Sequence, residues 1–177
     1  MSWIVVDVEA DGPAPGENLY SMVCFGAVVV TPELDKTFYG ECRPISEKWI
    51  PDALAVSGFT REQTLEFRSA SKTMRDFAKW LEENSDGKPI FVSDNPCFDY
   101  QWINYYYAMI GMPNPFGHSG RRIGDIYSGL VKDAYKGSAW KFMRKTKHSH
   151  NPVDDAMGNA EALLRFKSEL GLGVSFK

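Results

Sequence analysis

The sequence predicts an α/β fold, in which a β-sheet is flanked by helices, over a single domain spanning residues 1–177. Three apolar, β-branched segments lie within the first 42 residues, and short links join them, which is typical of consecutive antiparallel strands. After residue 50 the apolar residues recur at the three- and four-residue spacing of amphipathic helices. A further short apolar segment at 89–93 adds a strand between two of these helices.

Composition is that of a soluble globular chain. The apolar fraction of 44% and the charged fraction of 24% are ordinary for this class, and no apolar run approaches the roughly 20 residues that span a bilayer. The N-terminal residues lead directly into a strand-like segment and show neither the basic region nor the cleavage site that is typical of a signal peptide. Cys24, Cys42 and Cys97 are widely spaced, which predicts reduced, structural thiols in a cytoplasmic protein. The net charge of −3 argues against a non-specific nucleic-acid binder.

The first predicted strand, residues 3–9, carries two acids. Asp7 and Glu9 interrupt a β-branched, apolar run, and their spacing of two places both side chains on one side of the strand. Burial of two like charges on one face is unfavourable unless a cation compensates them, and hard divalent cations prefer carboxylate oxygens. A strand end at which both carboxylates reach solvent explains the pattern equally well.

The next elements follow from local patterns. A turn and loop at 11–18 separate the first strand from the rest of an antiparallel meander. The predicted elements up to residue 93 are strands at 22–30, 36–42 and 89–93, a short helix at 51–57, a helical stretch opened by a capping box of Thr60 and Gln63, and an amphipathic helix at 71–84.

A helix is predicted to begin directly after the strand at 89–93. Asn95 is the predicted N-cap and Pro96 the first helical residue, which places Asp99 one turn into the helix. The three tyrosines at 105–107 suggest base stacking. However, three consecutive positions span most of a helix circumference, so we favour packing in the core and at its rim.

The same arrangement returns near the C-terminus. Asn151 is the predicted N-cap and Pro152 the first helical residue, so His150 precedes the cap and Asp155 is the fourth helical residue. The residue before an N-cap and the fourth residue of the helix are normally apolar and contact each other. An imidazole beside a carboxylate is instead a candidate proton acceptor next to a candidate metal ligand. The helix is predicted to continue to residue 170, with an inner stripe of Ala156, Ala160, Leu163, Leu164 and Lys167.

The chain between these two helices is basic. Residues 121–150 contain eight lysines and arginines and two aspartates, so positive charge leads directly into the His150 segment. A solvated face of helix and loop would show the same run of charge. Its position beside a candidate site makes contact with nucleic-acid phosphates an equal alternative.

Three short motifs occur in a fixed order along the chain. They are Asp-x-Glu at residues 7–9, Asn-x-x-Phe-Asp at 95–99 and His-x4-Asp at 150–155. This order and relative spacing resemble the DEDDh group of 3′–5′ exonucleases, which includes ribonuclease T, oligoribonuclease and the polymerase proofreading subunit. Each motif is weak by itself, but the three together are specific, and the resemblance covers nearly the whole chain.

The resemblance implies a fold, an activity and a set of site residues. The fold would be ribonuclease-H-like, a mixed five-stranded sheet flanked by helices. The activity would be hydrolysis of phosphodiester bonds from the 3′ end of single-stranded nucleic acid, with RNA slightly favoured. His150 would be the catalytic base, taking the proton of the attacking water. Two Mg²⁺ or Mn²⁺ ions would be held by four acids, which are Asp7, Glu9, Asp99 and Asp155.

The substrate-binding residues are less constrained by the motifs. The family usually places Thr or Ser and then Gly after the first-motif Glu, whereas this chain has Ala10, Asp11 and Gly12. This departure concerns the terminal nucleotide rather than the metal site. Side chains that flank the motifs are the candidates for contact with substrate, namely Leu19, Tyr20 and Phe98 for the terminal base and Arg121, Arg122, Lys145 and Lys147 for the backbone phosphates.

Two other functions stay open within the same fold. One is a DNA-directed 3′–5′ exonuclease for repair or proofreading, and the other is a catalytically silent nucleic-acid-binding module. A silent module has no need to keep buried acids together with His150, which argues against it. The expected partners are 3′ ends of single-stranded RNA or DNA, with no membrane contact. The sequence leaves open whether the chain forms a homodimer.

Overall fold

A five-stranded sheet lies at the centre of the computed structural model, which describes residues 1–176. Across the sheet the order is β3-β2-β1-β4-β5. Strands β1, β2 and β3 form an antiparallel meander, whereas β4 and β5 run parallel to β1. The mixed five-stranded sheet is therefore confirmed, as is the predicted meander. The strands are β1 (Trp3–Ala10), β2 (Met22–Val29), β3 (Thr37–Glu41), β4 (Ile90–Ser93) and β5 (Gly120–Arg122).

Helices cover both faces of the sheet. Helices α3 and α4 pack on one face, and α5 and α6 pack on the other. None of the helices within residues 1–176 is both long and apolar enough to cross a membrane. The helices are α1 (Pro51–Val56), α2 (Arg61–Leu65), α3 (Ala70–Asn84), α4 (Pro96–Met109), α5 (Ile123–Val131) and α6 (Pro152–Leu170), and two 3₁₀ helices, Ala134–Lys136 and Ala139–Met143, precede α6.

Alternate residues of β1 serve two separate hydrophobic cores. The even-numbered residues from Ile4 onward are buried against α3 and α4, and Trp3 and Val5 are buried against α5 and α6. Asp7 and Glu9 continue the odd-numbered series. The period of two therefore directs both acids toward the face on which α6 begins.

Helix α6 approaches the sheet most closely at its first turn. Gly26 of β2 lies against the backbone of Pro152, where an added Cβ would stand 2.4 Å from the Pro152 carbonyl oxygen. The absence of a side chain at this position is what permits the contact. The start of α6, and Asp155 with it, therefore lies over β2 and beside the acids of β1.

The two predicted asparagine caps have different outcomes. The Asn151 side chain accepts hydrogen bonds from the N–H groups of Val153 and Asp154, so this cap is confirmed. Asn95 also occupies the N-cap position of α4, as predicted, but its side chain makes no capping hydrogen bond within the described part of the chain. Pro96 at the first helical position still fixes the start of α4.

Several other predictions can be compared with the observed burial. Tyr106 and Tyr107 are buried and Tyr105 is partly buried, which confirms packing in the core and at its rim. The predicted stripe of α6 is wrong at Lys167, which is exposed, while Phe166 is buried. The buried face turns because Phe166 packs against aromatic rings of α5 and of the second 3₁₀ helix. Cys24 and Cys42 are buried free thiols as expected, but Cys97 is exposed.

Candidate active site

Three of the four predicted metal ligands converge at one point. Asp7 and Glu9 come from β1 and Asp155 comes from the first turn of α6, and each offers a carboxylate oxygen within 4.8 Å of the other two. We call these three residues the acid cluster. Asp155 is almost fully buried, and the other two are partly buried. A donor set made only of carboxylate oxygens suits hard divalent cations.

Asp99 adjoins the acid cluster from the first turn of α4. Its Oδ1 accepts a hydrogen bond of 3.1 Å from the N–H of Val8, the residue between Asp7 and Glu9. The charge of Asp99 is also one of the causes that raise the pKa of Asp7. The predicted fourth ligand therefore lies next to the other three. It is not, however, part of the group whose carboxylate oxygens all lie within 4.8 Å of one another.

Burial and neighbouring charges make Asp7, Glu9 and Asp99 harder to ionise. Burial, followed by the charges of Asp99, Asp155 and Glu9, raises the pKa of Asp7 well above its ordinary value. Burial is also the main reason that the pKa of Glu9 is raised to about 7 and that of Asp99 to about 7. A bound divalent cation would reverse these shifts. The charge and the donor chemistry of these residues therefore fit a divalent metal.

The backbone of the preceding loop holds Asp155 in place. Its Oδ1 accepts from the N–H of Ser149 at 3.2 Å, and its Oδ2 accepts from the N–H of His150 at 3.0 Å. Two consecutive N–H groups that face one carboxylate form an anion-binding nest. His150 has a left-handed backbone with φ of 60°, which turns its N–H toward the carboxylate. Few residues other than glycine adopt this conformation, and strained backbones of this kind cluster at active sites.

The imidazole of His150 lies over the acid cluster. Its Nδ1 is 3.6 Å from Oε1 of Glu9, and 49% of the side chain is exposed. The ring therefore has the cluster on one side and solvent on the other.

Two further residues contact Asp155 and were not predicted. Nδ1 of His148 is 2.8 Å from Oδ1 of Asp155, and the centroids of the His148 and His150 rings are 4.2 Å apart in an edge-to-face arrangement. Arg144 donates a 2.9 Å hydrogen bond to the carbonyl oxygen of Asp155. Its guanidinium also lies 3.8 Å from Oδ1 of that residue, and only 11% of its side chain is exposed. The His-x-His spacing was visible in the sequence, whereas nothing distinguished Arg144 from its basic neighbours.

One groove reaches the acid cluster at Glu9 and a second reaches His150, and Val56 at the end of α1 borders both. Phe98 lines the first groove, so this predicted base-binding residue lies close to Glu9. The first groove has a volume of about 420 Å³ and is lined by Glu9, Ala10, Gly12, Pro13, Ile50, Ala53, Val56 and Phe98. The second has a volume of about 200 Å³ and is lined by Cys24, Tyr39, Val56, Ser57, Gly58, Phe59, Ser149, His150, Asn151 and Pro152.

The other two residues predicted to contact the terminal base do not line these grooves. The Tyr20 ring packs over Gly12, where an added Cβ would stand 2.1 Å from a ring carbon. Because Gly12 is part of the groove wall, Tyr20 supports the groove from behind. Leu19 is exposed and lies against Gly16 in the same loop.

The four predicted phosphate-contacting residues are spread over the surface. The guanidinium of Arg121 lies 5.0 Å from the ring centroid of Trp3, near the start of β1 and so away from Glu9. Arg122 forms an ion pair at the start of α5. Lys145 and Lys147 are exposed in the loop that leads to His150. Phosphate contact by all four stays a prediction, and the loop lysines are the two nearest the site along the chain.

The nearby acid Asp11 has structural partners. Its side chain is fully buried, and its Oδ2 lies 3.1 Å from Nη1 of Arg61, whose own side chain is 10% exposed. The Asp11 carboxylate also accepts a hydrogen bond from the N–H of Ser21, and Arg61 donates to the carbonyl oxygen of Ser46. This network joins the loop after β1 to α2, beside the first groove.

Comparisons with known proteins identify the family of the chain. A family model described as the 3′–5′ exoribonuclease Rv2179c-like domain matches residues 2–166. The 3′–5′ DNA exonuclease Cap18 of Escherichia coli is 32% identical over 173 residues, which cover 95% of this chain and 88% of Cap18.

Solved structures show the same fold at low sequence identity. The nuclease domain of 3′hExo, a DEDDh family member bound to rAMP, has a TM-score of 0.78 and 16% identity, with 99% of this chain and 96% of that chain covered. Cell-death related nuclease 4 has a TM-score of 0.73 and 16% identity, with 94% and 64% covered. The ExoI–ssDNA complex of E. coli has a TM-score of 0.72 and 14% identity, with 94% and 40% covered. The chain therefore belongs to the Rv2179c-like family of 3′–5′ exonucleases, which hydrolyse phosphodiester bonds, and it has the fold of a DEDDh exonuclease.

Proposed function

We propose that the chain removes nucleotides from the 3′ end of single-stranded nucleic acid, that it favours RNA over DNA, and that it uses two Mg²⁺ or Mn²⁺ ions. The observation that carries the proposal is the convergence of Asp7, Glu9 and Asp155 beneath the His150 ring, with Asp99 adjoining them. The description of the family model supports RNA as substrate. The description of Cap18 supports a DNA-directed exonuclease, which is therefore the second candidate.

The acids would divide the metal binding between them. The acid cluster would hold one ion, and Asp99 would help to hold the other. Asp7 is the residue we expect to be shared, because the charges of both Asp99 and Asp155 raise its pKa, after burial. When bound, the ions supply Lewis-acid stabilisation of the charge that develops on the attacking and leaving oxygens.

His150 would accept the proton of the attacking water. Imidazole is the side chain that gains and loses a proton near neutral pH, which suits a general base. The half-exposed ring over Glu9 gives it access to a water on the solvent side of the acids. The hydrogen bond from its own N–H to Asp155 fixes the backbone, so the ring can turn without displacing the ligand.

The first groove would receive the base of the 3′-terminal nucleotide. It begins at Glu9, and Phe98 and Ile50 provide apolar surface on its walls. Stacking on such surface is tolerant of base identity, because every base has a π-face. We therefore expect the enzyme to trim 3′ ends with little preference among the four bases.

Digestion of labelled oligonucleotides tests the proposal directly. Single-stranded RNA and DNA of the same sequence, labelled at the 5′ end, are incubated with Mg²⁺, with Mn²⁺ or with chelator. We expect a ladder that shortens from the 3′ end, forms faster on RNA and is absent in chelator. Faster degradation of DNA would select the second candidate. Binding without cleavage, or cleavage in chelator, would contradict the proposal.

Substitution of His150 tests the role of the base. His150→Asn keeps a residue that tolerates the left-handed backbone, so the nest around Asp155 is retained. We expect turnover to fall by about 10²–10⁴-fold, the usual contribution of a general base. The thermal stabilisation by Mg²⁺ should persist, because the acids are untouched. His118→Asn, a change at an exposed loop histidine, is the matched control. Full activity in His150→Asn would show that the role is wrongly assigned.

A further inference from the structure

We propose that His148, His150 and Asp155 form a second metal site, which binds a borderline cation such as Zn²⁺, and that occupation of this site inhibits the exonuclease. We call these three residues the histidine site. The binding part of the proposal stands on geometry alone. The inhibitory part rests on the proposed function, because it uses the role of His150 as base.

The three side chains are already close to the geometry that Zn²⁺ requires. Each offers a ligand atom within 4.8 Å of the other two. Zn–N and Zn–O bonds of about 2.0–2.2 Å place the ligand atoms of a tetrahedral site roughly 3.3 Å apart. Nδ1 of His148 is 2.8 Å from Oδ1 of Asp155, so this edge of the triangle is short enough without any movement. The other two edges are each within 4.8 Å, and both rings are about half exposed.

The surroundings favour entry of an ion and fix one of its ligands. The side chains of His148 and His150 are 53% and 49% exposed, so an ion can reach them from solvent. Asp155 is held by two backbone N–H groups and by Arg144, which donates to its carbonyl oxygen. Hydrogen bonds that orient a ligand are typical of metal sites in proteins. Three protein ligands leave the fourth position of the ion open.

Donor chemistry separates the histidine site from the acid cluster. The two sets share Asp155, but the acid cluster adds only the carboxylate oxygens of Asp7 and Glu9, whereas the histidine site adds two imidazole nitrogens. Hard cations such as Mg²⁺ select oxygen ligands, and imidazole suits Zn²⁺. The two sites therefore differ in the ion that they select and compete for one carboxylate.

An ion in the histidine site takes two of its ligands, His150 and Asp155, away from their roles in hydrolysis. A ring nitrogen of His150 that donates its lone pair to Zn²⁺ cannot accept a proton. Asp155 is at the same time drawn into a different set of ligands. Zn²⁺ should therefore inhibit hydrolysis that is supported by Mg²⁺, and His148 should set the Zn²⁺ concentration at which inhibition occurs.

A Zn²⁺ titration of the Mg²⁺-supported reaction compares wild type, His148→Asn and His118→Asn. Each rate is expressed relative to the same protein without Zn²⁺, so a change in basal rate does not affect the result. We expect His148→Asn to need at least about tenfold more Zn²⁺ for half inhibition, in line with the loss of affinity when a metal site is disrupted. His118→Asn should match wild type. Equal inhibition of His148→Asn and wild type, or no inhibition of wild type, would overturn the proposal.

A Co²⁺ spectrum tests binding without using activity. Co²⁺ replaces Zn²⁺ in such sites, and its visible bands are intense when it has four ligands. We expect these bands in wild type and His118→Asn, and their loss in His148→Asn and His150→Asn. Circular dichroism verifies that the variants are folded. Bands that persist in His148→Asn would refute the histidine site. Bands in a wild-type protein without nuclease activity would leave the site in place and reject the proposed function instead.

Discussion

Replacement of Asp99 by Asn should stabilise the metal-free protein while it abolishes hydrolysis. Asp99 is buried on α4, and the charges of Asp7 and Asp94 are close to it. In the absence of a cation its ionised form is therefore unfavourable. The amide has nearly the same shape, and its oxygen can still accept the 3.1 Å hydrogen bond from Val8 N–H. The substitution therefore removes a charge without opening a cavity.

The size of the effect follows from the pKa of Asp99. Burial raises this pKa from 3.8 to about 7 in the folded protein. Because the folded pKa is the higher one, the carboxyl destabilises the fold progressively as the pH rises from about 4 to about 7, and the effect is constant above that range. About three pKa units at 1.4 kcal/mol each correspond to roughly 4 kcal/mol at pH 8 and to less than half of that at pH 5.

Urea denaturation in chelator at pH 5 and pH 8 measures this difference. We expect Asp99→Asn to have a larger free energy of unfolding than wild type by on the order of 4 kcal/mol at pH 8, and by less than half of that at pH 5. Added Mg²⁺ should stabilise wild type more than the variant. Asp35→Asn, at an exposed carboxylate, is the control for loss of one surface charge. An Asp99→Asn protein that is less stable than wild type at pH 8 in chelator would refute the electrostatic reasoning.

Two further predictions concern the packing around the site. Gly26→Ala places a Cβ 2.4 Å from the Pro152 carbonyl oxygen, so we expect a loss of about 1–3 kcal/mol in urea denaturation and at least a tenfold fall in kcat as α6 shifts. Gly129→Ala, where an added Cβ meets no described atom within 4 Å, should be neutral or slightly stabilising with unchanged kcat, and equal behaviour of the two variants would contradict this account. Arg61→Met leaves the buried carboxylate of Asp11 without its partner and should cost about 3–5 kcal/mol. A wild-type melting temperature in that variant would show that the pair is not a stabilising one.

Local patterns in the sequence were sufficient to predict much of the fold and part of the site. The period of two along β1 correctly placed Asp7 and Glu9 on one face, because strand geometry alone decides it. The Asn-Pro start of α6 correctly placed Asp155 in the first helical turn, because the cap and the proline act within four residues. Each of these inferences needs only a residue and its neighbours.

The contacts between distant segments could not be predicted from the sequence alone. The approach of α6 to β2 depends on Gly26, whose importance is visible only once the two elements are placed together. Arg144 looked like one more residue of a solvated basic run. Its burial depends on Gly158 of α6, where an added Cβ would stand 2.9 Å from Nε of Arg144, and on the ring of Trp140 below it. The convergence of the acids was predicted from the DEDDh resemblance, because local sequence patterns do not determine it.

The charges at the site explain why it is incomplete without its metals and substrate. The acid cluster and Asp99 carry four negative charges when ionised, and Arg144 contributes one positive charge close to Asp155. Arg144 lowers the pKa of Asp7, but burial and the neighbouring acids outweigh it. The two divalent ions that we propose would leave the site with one net positive charge. A single phosphodiester carries the opposite charge, so the site becomes neutral when the bond to be cleaved is in place. When the product leaves, the site regains its one net positive charge. This charge favours the binding of the next phosphate.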